Sequence, residues 1–420
     1  MPEAAPDTVQ TMPEATPDTV QTMPEATPDT VQTMPEAAPS ANLSPAEKLS
    51  LFLAQHSDLP KQGTREWEIL REGSIGGSEI GSIMGLNPYK SRKNFLLDKV
   101  IPSENGFRGN PATNWGKLFE DVTQRYIEAK WGITIFETSS VPGTKPKYSY
   151  SPDGLAVVRF PGEDTDKIVL FEIKSPFTRI PNDTIPEMYG VQPMYGMFVI
   201  PIVDTSFFVD VAYRKCRLCD FDVGCDTIYD HVYHKNDKPG CLPDMPICGG
   251  IIGVYSETVP DYMQQLILLD PMEQYKPKDF GTYYWSAFNQ AIANINNGIH
   301  KKYIPTITTE PKDQFAEFLD FCLYNKYTAI GVIPWKMFKY YEIRLDRDET
   351  FIQKIITEVD DAYSILKQCK RSGNPLSTME QIVGAVRKVP TKREREPDPE
   401  PEIQPMSETE QAELMQFLIS

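Results

Sequence analysis

From residue 45 onward the apolar positions follow two periods in turn. SPAEKLSLFLAQ reads as a helix with Ser44 as its N-cap and Pro45 in the first turn. TREWEILREG reads as a second helix, and a glycine turn in GGSEIGSIMGLNPYKSRKNFLLDKV opens a further one. In WGKLFEDVTQRYIEAKWG the residues Trp115, Leu118, Phe119, Val122 and Tyr126 recur at helical spacing. The period then shortens. YSYSPDGLAVVRF and KIVLFEIKSP are strand-like runs joined by the turn-rich PGEDTD, which predicts an antiparallel hairpin over 148–175. A helix-like stretch, IPEMYGVQPMYGMFV, leads into the strand SFFVDVAY, and PWKMFKYYEIRLDRDETFIQKIITEVDDAYSILKQCK predicts a last strand and a long closing helix. Helices, then strands, then a helix indicate an α+β (α/β) core.

The ends have a different texture. Residues 1–44 are an 11-residue acidic repeat beginning MPEAAPDTVQT, with two prolines and one valine in each intact copy. Proline at that density forbids continuous helix, and so few apolar groups cannot offset the entropy of ordering, so the segment predicts a disordered spacer. The tail at 387–420 reads as disordered and charged. Between them the chain divides into a core at 45–213, an insertion at 214–330 that begins in a Cys/His-rich loop, and a closing strand and helix at 331–386. No apolar run approaches the roughly 20 residues that span a bilayer, and MPEAAPDTVQ has neither part of a signal peptide. A soluble, intracellular protein with no membrane partner is expected.

With 420 residues, 40% of them hydrophobic and 11% aromatic, the chain can bury a large core. Its net charge of −17 argues at first against a nucleic-acid partner, but residues 1–44 carry −7 of it and residues 389–420 carry −5, leaving −5 for the middle. A mildly acidic domain can still hold a polyanion along a basic path. Arg71, Lys90, Arg92, Lys93, Arg108, Lys145 and Lys147 are the candidates for one.

Within KIVLFEIKSP, Glu172 and Lys174 alternate with Phe171 and Ile173, so the acid and the amine share one face of the strand. Alone, this reads as a same-face ion pair worth little. The predicted hairpin, however, brings Asp153 near the same edge. Two carboxylates and a lysine converging there are what a divalent-metal phosphodiesterase needs. Oxygen ligands suit Mg²⁺, and the lysine can orient or deprotonate an attacking water.

With these pieces in place the core resembles the YqaJ-like viral recombinase group, the lambda-type exonuclease branch of the PD-(D/E)XK nucleases. The matching stretches are W-E-I-L-R-E-G-S-I-G-G-S-E from Trp67, G-K-L-F-E ending at Glu120, S-P-D-G around Asp153, E-I-K-S-P from Glu172, and Gln192 in Y-G-V-Q. The resemblance implies a restriction-endonuclease-like core with a central mixed sheet flanked by helices. It makes Asp153 the central metal ligand, joined by Glu172, the Ile173 carbonyl and Glu120, with Lys174 handling the water and Gln192 orienting the nucleophile or the scissile phosphate. Arg71 and Ser78, with Lys90 nearby, would hold a 5′-phosphate. It implies an enzyme using Mg²⁺ or Mn²⁺, two ions per site, that digests linear double-stranded DNA ends from 5′ to 3′ in viral or phage recombination or repair. A single-strand annealing protein would be its partner, and host cytoplasm or nucleus its location if viral. An endonuclease or resolvase on the same fold, and a non-catalytic DNA-end-binding scaffold, are the alternatives.

Cys216, Cys219, Cys225, His231, His234, Cys241 and Cys248 fall together, with Cys216 and Cys219 in a C-x₂-C turn. In an intracellular chain such density suggests structural Zn²⁺ on Cys216, Cys219 and two of the other five, the alternative being a loop of unpaired thiols. Gln411, Leu414, Phe417 and Leu418 approximate the spacing of sliding-clamp-binding peptides, the alternative being an amphipathic last helix packed on its own core.

Overall fold

The computed structural model describes residues 43–61, 64–101, 110–215, 241–243, 245–258, 288–309 and 311–384. The helices begin where short polar side chains can cap them. α1 (Pro45–Gln55) starts at Ser44, whose hydroxyl accepts the Glu47 N–H while the Glu47 carboxylate accepts the Ser44 N–H at 2.8 Å. α2 (Arg65–Glu72) is capped by Thr64 and α4 (Arg92–Val100) by Ser91, with the short α3 (Ile80–Ile83) between them. α5 (Pro111–Trp131) starts on Asn110 and stops at Gly132, whose φ of 62° is the left-handed turn glycine adopts without strain.

A small ladder, β1 (Val141–Pro142) with β2 (Ser149–Tyr150), precedes a six-stranded sheet. Its strands are β3 (Gly154–Val158), β4 (Lys167–Lys174), β5 (Thr205–Lys215), β6 (Cys248–Ser256), β7 (Lys301–Tyr303) and β8 (Thr328–Asp346), in the spatial order β3-β4-β5-β8-β6-β7. β3 and β4 form the expected antiparallel hairpin, with Gly154 opposite Phe171. β4 and β5 are parallel, and the crossover they need is α6 (Glu187–Val199). The other pairings are antiparallel, so the sheet is mixed. β8 is 19 residues long and pairs with β6 along its first half and β5 along its second, so β6 and β7, from within 214–330, join the same sheet. The remaining helices are α7 (Phe288–Asn296), α8 (Pro311–Asn325), α9 (Glu349–Arg371) and α10 (Pro375–Val383).

Helices cover both faces, which is why β4 is buried on both sides. Ile168 and Leu170 pack with Val191, Tyr195 and Met197 of α6 and Ile352, Ile355 and Val359 of α9. Val169, Phe171 and Ile173 pack with Trp115, Leu118, Phe119 and Val122 of α5. The single run YSYSPDGLAVVRF is split: Pro152 has no N–H for a ladder, so residues 151–153 leave the strand between β2 and β3 and free Asp153 from regular pairing.

Arg92 and Lys147, two of the basic residues considered for a DNA path, are engaged by α9. The Arg92 guanidinium donates to the Ile83 carbonyl at 3.1 Å, to the Glu358 carboxylate and to Asp361 Oδ2 at 2.6 Å, and Lys147 Nζ lies 2.5 Å from Asp360 Oδ1. Arg92→Ala should therefore cost stability, about 1.5 to 3 kcal/mol by the usual value of hydrogen bonds to charged groups, with DNA affinity unaltered. Denaturant unfolding beside a gel-shift titration checks both. Arg108, Cys216, Cys219, Cys225, His231, His234, the repeats at 1–42 and the tail from 385 lie outside the described residues.

Candidate active site

Four elements meet at the C-terminal end of β4. α5 is fixed by Phe119, whose ring stacks on Tyr213 of β5 at 4.3 Å, and by Thr123, whose hydroxyl pairs with that of Tyr213 at 3.0 Å. With Phe119 and Thr123 turned to the sheet, Glu120 and Gln124, one turn apart, reach the loop that carries Asp153. The Gln124 amide donates to the Asp153 carbonyl at 2.6 Å. Asp153 Oδ2 accepts the Ile173 N–H at 2.7 Å and lies 3.8 Å from Lys174 Nζ, which bonds the Glu172 carboxylate. The other oxygen of Glu172 accepts the hydroxyl of Tyr150.

Three carboxylates thus share one ammonium in a partly enclosed place. Burial first, then the charge of Glu172, pushes Asp153 well above the usual carboxylate range against the pull of Lys174. Burial and neighbouring Asp121 likewise raise Glu120. Burial would lower Lys174, but Glu172 and Asp153 outweigh it and hold the ammonium above its ordinary range. An excess of negative charge around hard oxygen donors suits a divalent cation. As arranged, both oxygens of Glu172 are taken by Lys174 and Tyr150, and among the described residues no group of three or more His, Cys, Asp or Glu is set to hold an ion.

α6 closes the other side. Lys174 Nζ lies 5.8 Å from the centre of the Tyr189 ring, and Gln192, on the same helix face, is buried with Oε1 lacking a hydrogen bond. Pro193 sits inside the helix without ending it. Beside Lys174 on the neighbouring strand is Asp210, held by Arg179 through two bonds of 2.6 and 2.9 Å.

Arg71 and Ser78 come from a different segment, α2 and the turn after it. The Arg71 guanidinium rests over the Trp67 ring at 4.6 Å and against Gly76, where an added Cβ would stand 2.6 Å from it. Among the described residues no carboxylate pairs with it. Ser78 is exposed in the 3₁₀ turn Gly77–Glu79. Lys90 pairs with Asp98 at 2.8 Å. Of the cysteines considered for zinc, Cys241 and Cys248 are described and unpaired by disulfide, and burial pushes the Cys248 thiol up to about 11.

Gln124, Tyr150 and the Arg179–Asp210 pair were not singled out from the sequence. Gln124 had one signal, its place four residues after Glu120 on an amphipathic helix. Tyr150 and Asp210 looked like ordinary strand residues.

The fold and site define a mixed sheet flanked by helices, with the acid, acid and lysine on a hairpin. Residues 66–202 match the YqaJ-like viral recombinase domain model. A protein of African swine fever virus is 26% identical over 360 residues, spanning 80% of this chain and 94% of the relative. The protein YqaJ of Bacillus subtilis is 29% identical over 98 residues, 23% of this chain and 30% of its own length. Among solved structures, the alkaline exonuclease LHK-Exo of Laribacter hongkongensis is similar at 16% identity with a TM-score of 0.37, covering 76% of this chain and 96% of that one. Its complex with dAMP is similar at 14% identity, with the same TM-score of 0.37. No described helix is long and apolar enough to cross a membrane.

Proposed function

We propose that the chain is a metal-dependent deoxyribonuclease that digests linear double-stranded DNA from 5′ ends, serving viral or phage recombination or repair. The observation that carries the reading is the convergence of Glu120, Asp153, Glu172 and Lys174 on one end of β4 inside the matched domain.

Asp153, Glu172, Glu120 and the Ile173 carbonyl would hold Mg²⁺ or Mn²⁺, which supplies Lewis acidity toward a phosphate oxygen and an acidified water. The chain's own groups do the rest. Lys174 orients the attacking water and takes up or offsets charge as the phosphorus–oxygen bond is broken. Gln124 holds the Asp153 loop through its backbone carbonyl, a bond that takes up neither carboxylate oxygen. Gln192, with an unused buried acceptor, is placed to orient the water or the phosphate. Arg71, unpaired with any described carboxylate, offers its guanidinium to the terminal 5′-phosphate, and Ser78 adds a hydroxyl. The product, duplex with a 3′ overhang, is what a single-strand annealing protein would take up.

The test is a Mg²⁺ time course on linear duplex labelled at either end, run beside circular duplex. Mononucleotides released from the 5′ strand, with circles untouched, are expected. Nicked circles would instead indicate an endonuclease, and no cleavage of either a binding scaffold. On the same substrates Arg71→Ala should slow digestion and lose the preference for a 5′-phosphate over a 5′-hydroxyl, a change of about 10- to 150-fold for a charge-assisted bond of about 1.5 to 3 kcal/mol. Metal binding should be unaltered.

A further inference from the structure

The ring of Tyr150 lies between two glycines from distant parts of the chain. A Cβ on Gly77 would stand 2.4 Å from Tyr150 Cε2, and one on Gly196 of α6 would stand 2.6 Å from its Cζ. A Cβ at either position would force the ring or the turn to shift. Tyr150 is 1% exposed, and its hydroxyl donates to the carboxylate of Glu172. The neighbouring backbone is strapped to the turn that carries Gly77. Ile75 N–H donates to the Lys147 carbonyl at 2.8 Å, Ser149 N–H to the Ile75 carbonyl at 3.1 Å, and the Ser74 and Ser149 hydroxyls meet at 2.8 Å. Tyr195 adds a bond from its hydroxyl to the Ile75 carbonyl at 2.8 Å. The Arg71 guanidinium rests on Gly76, one residue from Gly77. Arg71, the Gly76-Gly77 turn, the Tyr150 ring and the Glu172 carboxylate therefore form one continuous line of contact.

We propose that Tyr150 is a positioning residue that orients Glu172 for metal binding and couples the Arg71 turn, where the DNA end would be held, to the carboxylate site. The inference rests on the reading of Asp153 and Glu172 as metal ligands. A carboxylate ligand has two oxygens and a free torsion. A fixed donor on one oxygen leaves the other in one direction, and partners of that kind are commonly worth 10- to 100-fold in metal affinity or activity. Because the ring is clamped by backbone on both sides, the hydroxyl cannot follow a misplaced carboxylate. A displacement of the turn at Gly77 must instead move the ring. End binding and metal binding thus share a mechanical element, although the two sites have no residue in common.

The experiment uses the full chain, with Mn²⁺ as the probe followed by calorimetry without DNA, and kcat and KM on 5′-phosphorylated linear duplex. Tyr150→Phe keeps the ring that fills the clamp and removes only the donor. Mn²⁺ affinity should fall about 10-fold or more, kcat should fall with it, and KM for DNA ends should stay within about twofold. Gly77→Ala, which pushes on the ring from the far side, should weaken Mn²⁺ binding and the 5′-phosphate preference together, and it carries the decision if Tyr150→Phe does not fold. Wild-type Mn²⁺ affinity and kcat in Tyr150→Phe, or a Gly77→Ala protein that loses the phosphate preference with Mn²⁺ affinity intact, would overturn the proposal. A wild-type protein that binds no Mn²⁺ would instead remove the metal-site reading on which it rests.

Discussion

Replacing Lys174 by alanine is expected to lower the rate of strand cleavage by about 10²- to 10³-fold, the usual worth of one preorganised donor to developing negative charge, while leaving affinity for duplex ends unchanged. The ammonium touches Glu172 and stands 3.8 Å from Asp153, whereas the groups assigned to the DNA end, Arg71 and Ser78, are on a different segment. Metal affinity should hold or rise, because the substitution removes the cation that now occupies one oxygen of Glu172. Single-turnover cleavage of a labelled duplex, gel shifts in a metal that does not support turnover, and Mn²⁺ calorimetry separate the three quantities. A Lys174→Ala protein that cleaves at the wild-type rate would end the assignment of the water's partner.

Asp153→Asn should abolish metal binding and cleavage and, unusually for a change inside a core, stabilise the metal-free protein. The sign follows from the direction of the shift. Asp153 is held well above the ordinary carboxylate range by burial and by Glu172, so the unfolded chain releases its proton at lower pH than the folded one. Its contribution to stability is complete below the unfolded pKa of about 3.9 and is lost as pH rises through the raised folded value. Asparagine carries no such penalty and can still accept the Ile173 N–H. The gain at neutral to alkaline pH should be about 0.5 to 2 kcal/mol, the size common for single stabilising substitutions. Thermal melts in chelator should show the variant ahead of wild type at pH 8 and level with it near pH 4. Saturating Mg²⁺ should stabilise only the wild type, since a ligand that binds the folded state alone raises its stability.

The hairpin and its chemistry were legible because β-structure writes alternation into sequence. Glu172 and Lys174 are two apart, so a strand must put them on one face, and PGEDTD must reverse the chain to bring the Asp153 run alongside. α5 was legible by the same logic at helical period, from Trp115 to Tyr126. The glycine turn at Gly76 and Gly77 was legible, although what packs against it was not. The neighbours are Arg71 on one glycine and Tyr150 on the other. Arg92 and Lys147 read as part of a basic path, yet they are held by Glu358, Asp361 and Asp360, more than 200 residues away in sequence.

Sequence alone therefore determined what local periodicity and adjacency can encode: the helix or strand character of the segments with a clear period, the hairpin that brings Asp153 beside the E-I-K run, and the glycine turn that follows Arg71. Tertiary structure decided everything that depends on through-space partners. It set β6 and β7 into the same sheet through the two-sided pairing of β8, placed Gln124 on the Asp153 carbonyl, put Asp210 beside Lys174, and gave Glu172 its second donor in Tyr150. The physical reason is range. Dihedral preference and side-chain alternation act over a few residues and leave a mark on each segment. A carboxylate's charge state and direction are set by whichever donors the packed layers bring within about 3 Å, and those come from segments whose sequences carry no sign of one another.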